Sequence, residues 1–226
     1  MHPAQTISIS SSSLSNHLTP TEHLSSDQLL QAKKALRQRI RKQRKQLSTF
    51  HQVKAANQLL KHLNNQYWYR SSRHIAVYLA NDGELSCSAV IDALHTTGKQ
   101  VYLPVLHPIN HRQLMFVRYD QHTPMRYNRF GIKEPQLKRS RLLPPEALDL
   151  ILMPLVGFDL QGNRLGMGGG FYDTTLDKVI NQGWRPSPLC AGLAHPCQQV
   201  DALPKEPWDV PLDAVVTPTY VLRFSV

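Results

Sequence analysis

The sequence predicts an α/β fold in which helices cover both faces of a β-sheet. From residue 74 onward, short apolar runs suited to buried strands alternate with segments of helical periodicity. The run 148–154 is apolar enough for a central strand, and a later glycine-rich loop leads into a helix that begins at Phe171. Ligands of such sheets usually bind beyond the carboxyl ends of the strands, so we expect the functional site there.

Local signals predict each element in order. Residues 1–24 are rich in Ser and Thr and are expected to form a disordered tail, followed by a single α/β domain over 25–226 that starts with basic helices. Ser26 and Asp27 can cap a first helix that runs to about residue 47, and Ser48 can begin a second helix. We predict strands at 74–79, 100–105, 114–118, 148–154, 189–194 and 214–217, and further helices at 86–97 and 171–180.

Composition excludes several classes of protein. A chain of 226 residues with 41% hydrophobic residues can bury a core, so a wholly disordered chain is excluded. The sequence contains no run of about 18 apolar residues for a membrane span, and its start lacks the apolar stretch of a secretory signal. Arg37 is the first arginine, which argues against a mitochondrial presequence, and three cysteines fit a reducing compartment. We therefore expect a cytoplasmic protein.

The net charge of +10 comes from one segment. Residues 28–81 hold twelve Lys and Arg and no acid, whereas residues 82–226 hold fourteen residues of each sign. Such a segment can bind a nucleic acid or a nucleotide, or it can be a solvated helix face. On a helical wheel Lys33, Arg37 and Arg44 border the apolar stripe, and Lys33 and Arg37 form a two-pronged anion site on one face.

The most informative segment is the glycine-rich loop 162–173. Gly166 and the run 168–170 let the backbone bend and approach a ligand closely, with amide groups available to an anion. The helix that begins at Phe171 adds partial positive charge and Arg164 adds a fixed cation, so phosphate binding is favoured over a flexible surface turn. The loop is not a Walker loop, because no Gly-Lys-Ser/Thr follows it, and it is not a convincing dinucleotide fingerprint.

Carboxylates near this loop are candidate metal ligands. Asp173 lies in the first turn of the helix and could hold Mg²⁺. Asp209 and Asp213 precede the last predicted strand, and one of them could complete the site, although a turn is the usual place for such an aspartate. A second candidate cluster comprises Cys190, His195 and Cys197. It lacks a CxxC pair, so it is more typical of packing residues than of a metal site. His195, which follows a strand end, could instead line a pocket.

Six motifs occur in an order that is characteristic of one enzyme family. They are Lys33-Lys-Ala-Leu-Arg37, Tyr78-Leu-Ala-Asn-Asp-Gly-Glu84, Val101-Tyr-Leu-Pro-Val105, Gly131-Ile-Lys-Glu-Pro135, Arg164-Leu-Gly-Met-Gly-Gly-Gly-Phe-Tyr-Asp173 and Trp208-Asp-Val-Pro-Leu-Asp213. With them the chain resembles the 5-formyltetrahydrofolate cyclo-ligases, also called 5,10-methenyltetrahydrofolate synthetases, from about residue 33 to residue 217. The glycine motif is specific when two aromatic residues and Asp follow it, as they do here.

The resemblance implies a three-layer α/β/α sandwich with a mostly parallel central sheet. It also implies an ATP-dependent and Mg²⁺-dependent ligase that converts 5-formyltetrahydrofolate to 5,10-methenyltetrahydrofolate and releases ADP and phosphate. The expected partners are small molecules, a reduced folate and ATP, with neither nucleic acid nor membrane, and the protein is expected to be a monomer.

The resemblance also implies three groups of site residues by position. ATP would be bound by Lys33, Arg37, Arg164, Leu165, Gly166, Met167, Gly168, Gly169, Gly170, Phe171 and Tyr172. The folate would contact Asn81, Glu84, Ser86, Met167, Gly168, Gly169, Gly170 and Phe171. Mg²⁺ would be held by Asp173 and Asp209. Some members of the family carry a basic residue in place of Met167 or Gly169, and some carry an acid in place of Ser86.

Two other functions are compatible with parts of the sequence. A nucleic-acid-binding protein that uses the basic helix 33–45 predicts binding with a steep salt dependence, although the balanced charge of residues 82–226 and the absence of a known binding motif argue against it. A sugar-phosphate isomerase or transferase on a similar sandwich would need no ATP, so ADP release that depends on the substrate distinguishes it from a cyclo-ligase.

Overall fold

A computed structural model of the protein describes residues 6–9, 25–181 and 187–224. Its helices are α1 Ser26–Lys45, α2 Thr49–Asn64, α3 Tyr67–Ser71, α4 Ser88–Thr96 and α5 Phe171–Asn181. Its strands are β1 Thr6–Ile9, β2 His74–Ala76, β3 Gln100–Leu106, β4 Leu114–Tyr119, β5 Met125–Tyr127, β6 Lys133–Pro135, β7 Leu142–Leu143, β8 Leu150–Pro154, β9 Gly157–Phe158, β10 Arg164–Leu165, β11 Leu189–Leu193, β12 Ala214–Val216 and β13 Val221–Phe224.

One nine-stranded sheet organises the molecule, with the strand order β1-β13-β12-β11-β8-β2-β3-β4-β7. The five central strands from β12 to β3 are mutually parallel. Antiparallel pairs extend the sheet on both sides, through β13 next to β12 and through β4 and β7 next to β3. Two small hairpins, β5–β6 and β9–β10, stand apart from it. The expected mostly parallel central sheet is thus confirmed.

Helices pack on both faces of this sheet because alternate strand residues point in opposite directions. On one face Leu150 of β8 belongs to a core cluster with Leu59 of α2 and Leu94 of α4. On the other face Ile151 belongs to a cluster with Leu176 of α5. All five of these side chains are fully buried. The arrangement is the expected α/β/α sandwich.

Helix α1 packs at the end of the molecule where the functional site is expected. Its Ile40 joins a small buried cluster with Val156, Leu165 and Leu203. The helix is capped by Ser25, one residue before the predicted cap: the Ser25 side chain accepts from the Gln28 amide, and the Gln28 side chain accepts from the Ser25 amide. The first helix ends at Lys45, two residues earlier than predicted. Lys33 and Arg44, which were predicted to border its apolar stripe, are buried.

Strand β1 differs from the expected disorder of residues 1–24. Its β-branched residues pair in parallel with β13, and the other residues of that expected tail lie outside the described part of the chain. Seven other small elements were also not predicted, since two to five residues are too few to show a period: α3, β5, β6, β7, β9, β10 and β13. Among the described helices, none has the length and apolar character needed to cross a membrane.

Candidate active site

A cavity of about 550 Å³ opens beyond the carboxyl ends of β2, β3 and β8. The volume is typical of small-molecule sites. Tyr78, Leu103, Pro104 and Leu155 form much of its apolar wall, and the glycine-rich loop forms another side. The position agrees with the general rule that ligands of parallel sheets bind at the carboxyl ends of the strands.

The glycine-rich loop runs from the end of β10 to the start of α5. Gly168 and Gly170 have φ angles of 104° and 64°, which a residue with a side chain rarely adopts. A Cβ atom on Gly169 would overlap the ring of Phe171. The three positions therefore need glycine for backbone geometry or for space. Six residues of the loop and the start of α5 line the cavity: Gly166, Met167, Gly169, Gly170, Phe171 and Tyr172.

Arg164 and Asp173 join the two ends of this loop. Arg164 Nη2 and Asp173 Oδ1 are 2.5 Å apart, and the Arg164 side chain is only 3% exposed. Asp173 Oδ1 also accepts from the amide of Val210 at 3.1 Å. Arg164 Nε is buried and has no hydrogen-bond partner among the described residues. Both side chains line the cavity, so a buried donor is available there to an anionic ligand.

Two cations of α1 reach the same region from the other side. Arg37 Nε donates to the carbonyl oxygen of Gly166 at 2.8 Å, and its guanidinium lies beside Gly168. Burial lowers the pKa of Arg37, and the charge of Asp209 opposes that effect. Lys33 Nζ lies 3.0 Å from Asp209 Oδ2 and 4.0 Å from Glu206 Oε1. The two-pronged pair predicted on α1 is therefore split between the loop and Asp209.

A tight turn after β2 supplies polar groups to the cavity. Asn81 and Glu84 both line it, and the amide of Asn81 donates to Glu84 Oε2 at 3.0 Å. Burial raises the pKa of Glu84. Ser86 is not among the residues that line the cavity. Its hydroxyl instead lies 3.1 Å from the Ser88 hydroxyl and accepts from the Ser88 amide, at the start of α4.

The turn between β5 and β6 forms a wall of the cavity that sequence reasoning did not assign. Asn128, Phe130 and Ile132 line the cavity, and the Phe130 ring packs edge-on against Phe171 with centroids 6.0 Å apart. The buried Glu134 supports this turn through Asn128 Nδ2. A role in a cavity wall could not be assigned to this segment from the sequence, because apolar wall residues carry the same pattern as core residues.

The predicted site residues thus fall into two sets. Arg164, Gly166, Met167, Gly169, Gly170, Phe171, Tyr172, Asp173, Asn81 and Glu84 line one cavity. The others do not line it: Lys33, Arg37 and Asp209 lie on its α1 side, Gly168 faces Arg37, Leu165 packs in the core under α1, and Ser86 accepts a hydrogen bond from the amide of Ser88 at the start of α4.

Asp173 and Asp209 suit a divalent cation by the chemistry of their donors. Mg²⁺ prefers oxygen ligands and is usually held by one or two carboxylates together with substrate phosphates. Among the described residues each carboxylate uses one oxygen on a cation, Asp173 on Arg164 and Asp209 on Lys33. No group of three or more His, Cys, Asp or Glu side chains in the described ranges could hold a metal by itself. A metal at this place would therefore need ligand oxygens from the substrate.

The second metal candidate is not assembled. Cys190 is buried in the core next to α5, and His195 is buried with a pKa lowered to about 4, first by burial and then by the charge of Arg44. His195 does not line the cavity either. Among the described residues, Cys190, His195 and Cys197 do not form a group that could hold a metal ion.

Comparison with known proteins agrees with this geometry. The model of the 5-formyltetrahydrofolate cyclo-ligase family matches residues 30–218, which include the glycine loop, α1 and the turn after β2. The chain belongs to this family. The 5-formyltetrahydrofolate cyclo-ligase of Haemophilus influenzae is 47% identical to this chain, and the match covers 80% of this chain and 95% of that protein. The 5-formyltetrahydrofolate cyclo-ligase of Escherichia coli K12 is 48% identical, and the match covers 65% of this chain and 79% of that protein.

Solved structures of cyclo-ligases share the fold. The NMR structure of Aquifex aeolicus 5,10-methenyltetrahydrofolate synthetase has a TM-score of 0.72 with 28% identity, and covers 86% of this chain and 93% of that one. The Mycoplasma pneumoniae 5,10-methenyltetrahydrofolate synthetase, at 24% identity, has a TM-score of 0.64 over 82% of this chain and 98% of that one, and supports the fold alone.

Proposed function

We propose that the protein is an ATP-dependent 5-formyltetrahydrofolate cyclo-ligase, which forms 5,10-methenyltetrahydrofolate and releases ADP and phosphate. The observation that carries the proposal is the contact of Arg37 with the carbonyl of Gly166, because it joins a cationic helix to a glycine loop beside a largely apolar cavity. A site of this kind has one end suited to phosphates and one end suited to a flat heterocycle. The activity named for the relatives supports the same pair of substrates.

The phosphate end would be built from the glycine loop and three cations. The loop 164–172 offers backbone amides, and Lys33, Arg37 and Arg164 offer positive charge. Lys33 and Arg164 are each paired with an aspartate. Phosphate oxygens can take the place of those carboxylates, which keeps the cations compensated when ATP binds.

The folate end would lie against the apolar wall. Tyr78, Pro104, Phe130 and Phe171 surround a space into which the pterin ring can insert. The Asn81 side chain and the Glu84 carboxylate lie at its edge and can pair with the polar atoms of the ring. Met167, Gly169 and Gly170 line the cavity, so the formyl group and the γ-phosphate can meet at the loop.

The chemistry then requires positioning and charge stabilisation more than a protein nucleophile. The formyl oxygen attacks the γ-phosphorus and ADP departs. The folate nitrogen N10 attacks the activated carbon and loses its proton, and the carbon–oxygen bond breaks to release phosphate. Lys33, Arg37 and Arg164 stabilise the charge on the transferred group. With both substrates bound, the filled cavity would keep water from the phosphorylated intermediate.

Asp173 and Asp209 would hold the Mg²⁺ that accompanies ATP. When bound, the cation would neutralise charge on the β- and γ-phosphates. The segments that carry the two aspartates are in contact, since Asp173 accepts from the amide of Val210, the residue after Asp209.

The basic helix is largely engaged within the protein. Arg44 is completely buried, and Lys33, Arg37, Arg41 and Lys45 all have protein partners. This use of its cations supports a nucleotide site over a nucleic-acid surface. A gel shift with duplex DNA at physiological salt should accordingly show no retardation.

The decisive experiment measures both products. With ATP, Mg²⁺ and 5-formyltetrahydrofolate, we expect one ADP for each methenyl product, the latter followed by its absorbance. Omitting the folate or Mg²⁺ should abolish ADP release. An absence of methenyl product under these conditions, with folded protein, would refute the proposed activity.

The remaining expectations fit this function. We propose that residues 25–226 act as one domain, which the continuous sheet supports. We also propose that the enzyme acts as a cytoplasmic monomer on small molecules. Size-exclusion chromatography with light scattering tests the oligomeric state.

A further inference from the structure

The turn 81–84 carries three cavity-lining polar residues, Asn81, Asp82 and Glu84, on an unusual backbone. Asp82 has a φ angle of 52°, the one residue other than glycine with a positive φ among the described residues. Asp tolerates this left-handed conformation better than most residues, but the surroundings must hold it. Its neighbours Asn81 and Glu84 face the cavity, and the amide of Glu84 donates to the carbonyl of Asn81 at 2.9 Å.

Helix α1 holds Asp82 with three cations from its last turns. Arg41 Nε and Arg44 Nη2 lie 2.7 Å and 2.9 Å from Asp82 Oδ2, and Lys45 Nζ lies 2.5 Å from Oδ1. The carboxylate is only 13% exposed, so its charge is poorly solvated and depends on these partners. The pKa of Asp82 is held well below its usual range, chiefly by the hydrogen bond from Arg41.

Hydrogen bonds also hold the backbone of the turn 81–84, in addition to the Asp82 side chain. Arg44 Nε and Nη2 donate to the carbonyl oxygen of Asp82 at 3.1 Å and 2.8 Å, and Nη1 donates to the carbonyl of Leu155, which follows β8. Gln52 of α2 donates to the carbonyl of Gly83 at 3.2 Å. Arg44 is completely buried, so it connects the turn to the centre of the sheet and to α1.

We propose that Asp82 is a positioning residue, which holds the turn 81–84 so that Asn81 and Glu84 meet the folate. The same helix places Arg37 on the glycine loop two turns earlier. One rigid element thus fixes the folate turn relative to the nucleotide loop. The inference deepens the proposed function, and it assigns to Asp82 no contact with the reacting atoms.

The test compares Asp82→Asn with a matched control. Asn keeps the size of the side chain and tolerates a positive φ, but it removes the charge that three cations share. The control is Asp120→Asn, which removes an ion pair with Arg141 at 3.0 Å near the start of β3, at the end of the sheet away from the cavity. We expect the KM for 5-formyltetrahydrofolate to rise about tenfold in Asp82→Asn, with the KM for ATP unchanged, and neither to change in the control.

A second pair of measurements separates this inference from the proposed activity. Hydrogen exchange of the peptide 78–86 should accelerate in Asp82→Asn and remain unchanged in the control, whatever reaction the enzyme catalyses. If Asp82→Asn does not fold, the double variant Arg41→Gln, Lys45→Gln leaves the buried Arg44 in place and should show the same two effects. Unchanged exchange in the turn, or KM values for both substrates that rise together, would overturn the positioning role.

Discussion

Arg164 is the residue on which the proposed chemistry depends most closely. Its side chain is almost fully buried, one nitrogen is paired with Asp173, and Nε has no protein partner among the described residues. A buried guanidinium with an open donor is costly unless a ligand completes it. The pair also fixes both ends of the glycine loop, so each member affects binding and geometry together.

Replacement of either partner should reduce turnover. We expect Arg164→Ala and Asp173→Ala each to lower kcat at least about tenfold, or about 1.4 kcal/mol of barrier. Arg164→Lys should recover only part of the loss, because an ammonium lacks the planar fork. The assay follows methenyl product, with thermal unfolding as a check on folding. If both alanine variants retained wild-type turnover, the roles given to these residues would be wrong.

Gly169 tests the requirement for space in the loop. An added Cβ would overlap the Phe171 ring, so Gly169→Ala should displace that ring and lower kcat/KM at least about tenfold. Gly98→Ala is a control far from the cavity, where φ is 72° but no atom lies within 4 Å of the added carbon. It should cost about 1 kcal/mol of stability and leave activity unchanged. Equal activity of the two variants would contradict the packing argument.

For single residues, the sequence reveals the charged residues and glycines of the site better than the apolar residues that form the cavity wall. The loop 164–173 and the cations of α1 could be named because their types and spacing are unusual. Phe130 and Tyr78 could not, since an apolar residue in a ligand cavity looks like one in the core. The partners Asp209 for Lys33 and Asp82 for Arg44 are distant in sequence, so only the fold reveals them.

Helix α1 is the element that combines stability with function. One side buries Ile40 against Val156 and Leu165, and the same side presents cations to the loop and to the turn 81–84. Its amphipathic period and its basic border could be predicted from the sequence. The Ser25 cap and the short strands that the helix touches could not, since end positions depend on tertiary contacts.

The apolar side of α1 should therefore contribute strongly to folding. Ile40 is 1% exposed, so Ile40→Ala should cost about 2–5 kcal/mol of unfolding free energy. Leu30→Ala on the same helix alters a side chain that is 62% exposed and should cost less than about 0.5 kcal/mol. Urea denaturation followed by circular dichroism measures both. Similar losses in the two variants would show that α1 is not anchored through Ile40.

For the whole molecule, the alternation of strands and helices was sufficient to predict the layers. Long buried strands such as β3 and β8 have clear apolar runs, α4 lies between β2 and β3 in the chain, and α5 precedes β11. The order of the strands and the antiparallel additions at both edges depend on pairing across the chain, which no local pattern encodes. The strand at Thr6–Ile9 was hidden in a Ser-rich segment for the same reason.

Global stability should decrease in mild acid because of His195. Its pKa is lowered to about 4 in the folded protein, whereas in the unfolded chain it titrates near its ordinary value of 6.5. Between these values only the unfolded chain takes up the proton, so stability falls as the pH decreases from about 6.5 towards 4, by about 3 kcal/mol at most. Denaturation of the wild type and of His195→Gln at several pH values measures this term. Parallel curves for the two proteins would contradict it.

The pairing of β1 with β13 also decides which strand edge the protein exposes to other copies of the same chain. With β1 in place, the backbone amides and carbonyls on the outer side of Val221–Phe224 are satisfied within one chain. A protein shortened to begin at Ser25 would leave that row open, and an open strand edge is a template for the backbone of a second molecule. The first few residues therefore move the open edge of the sheet from Val221–Phe224 to Thr6–Ile9 and so change which strand a second molecule could meet, a consequence quite separate from catalysis.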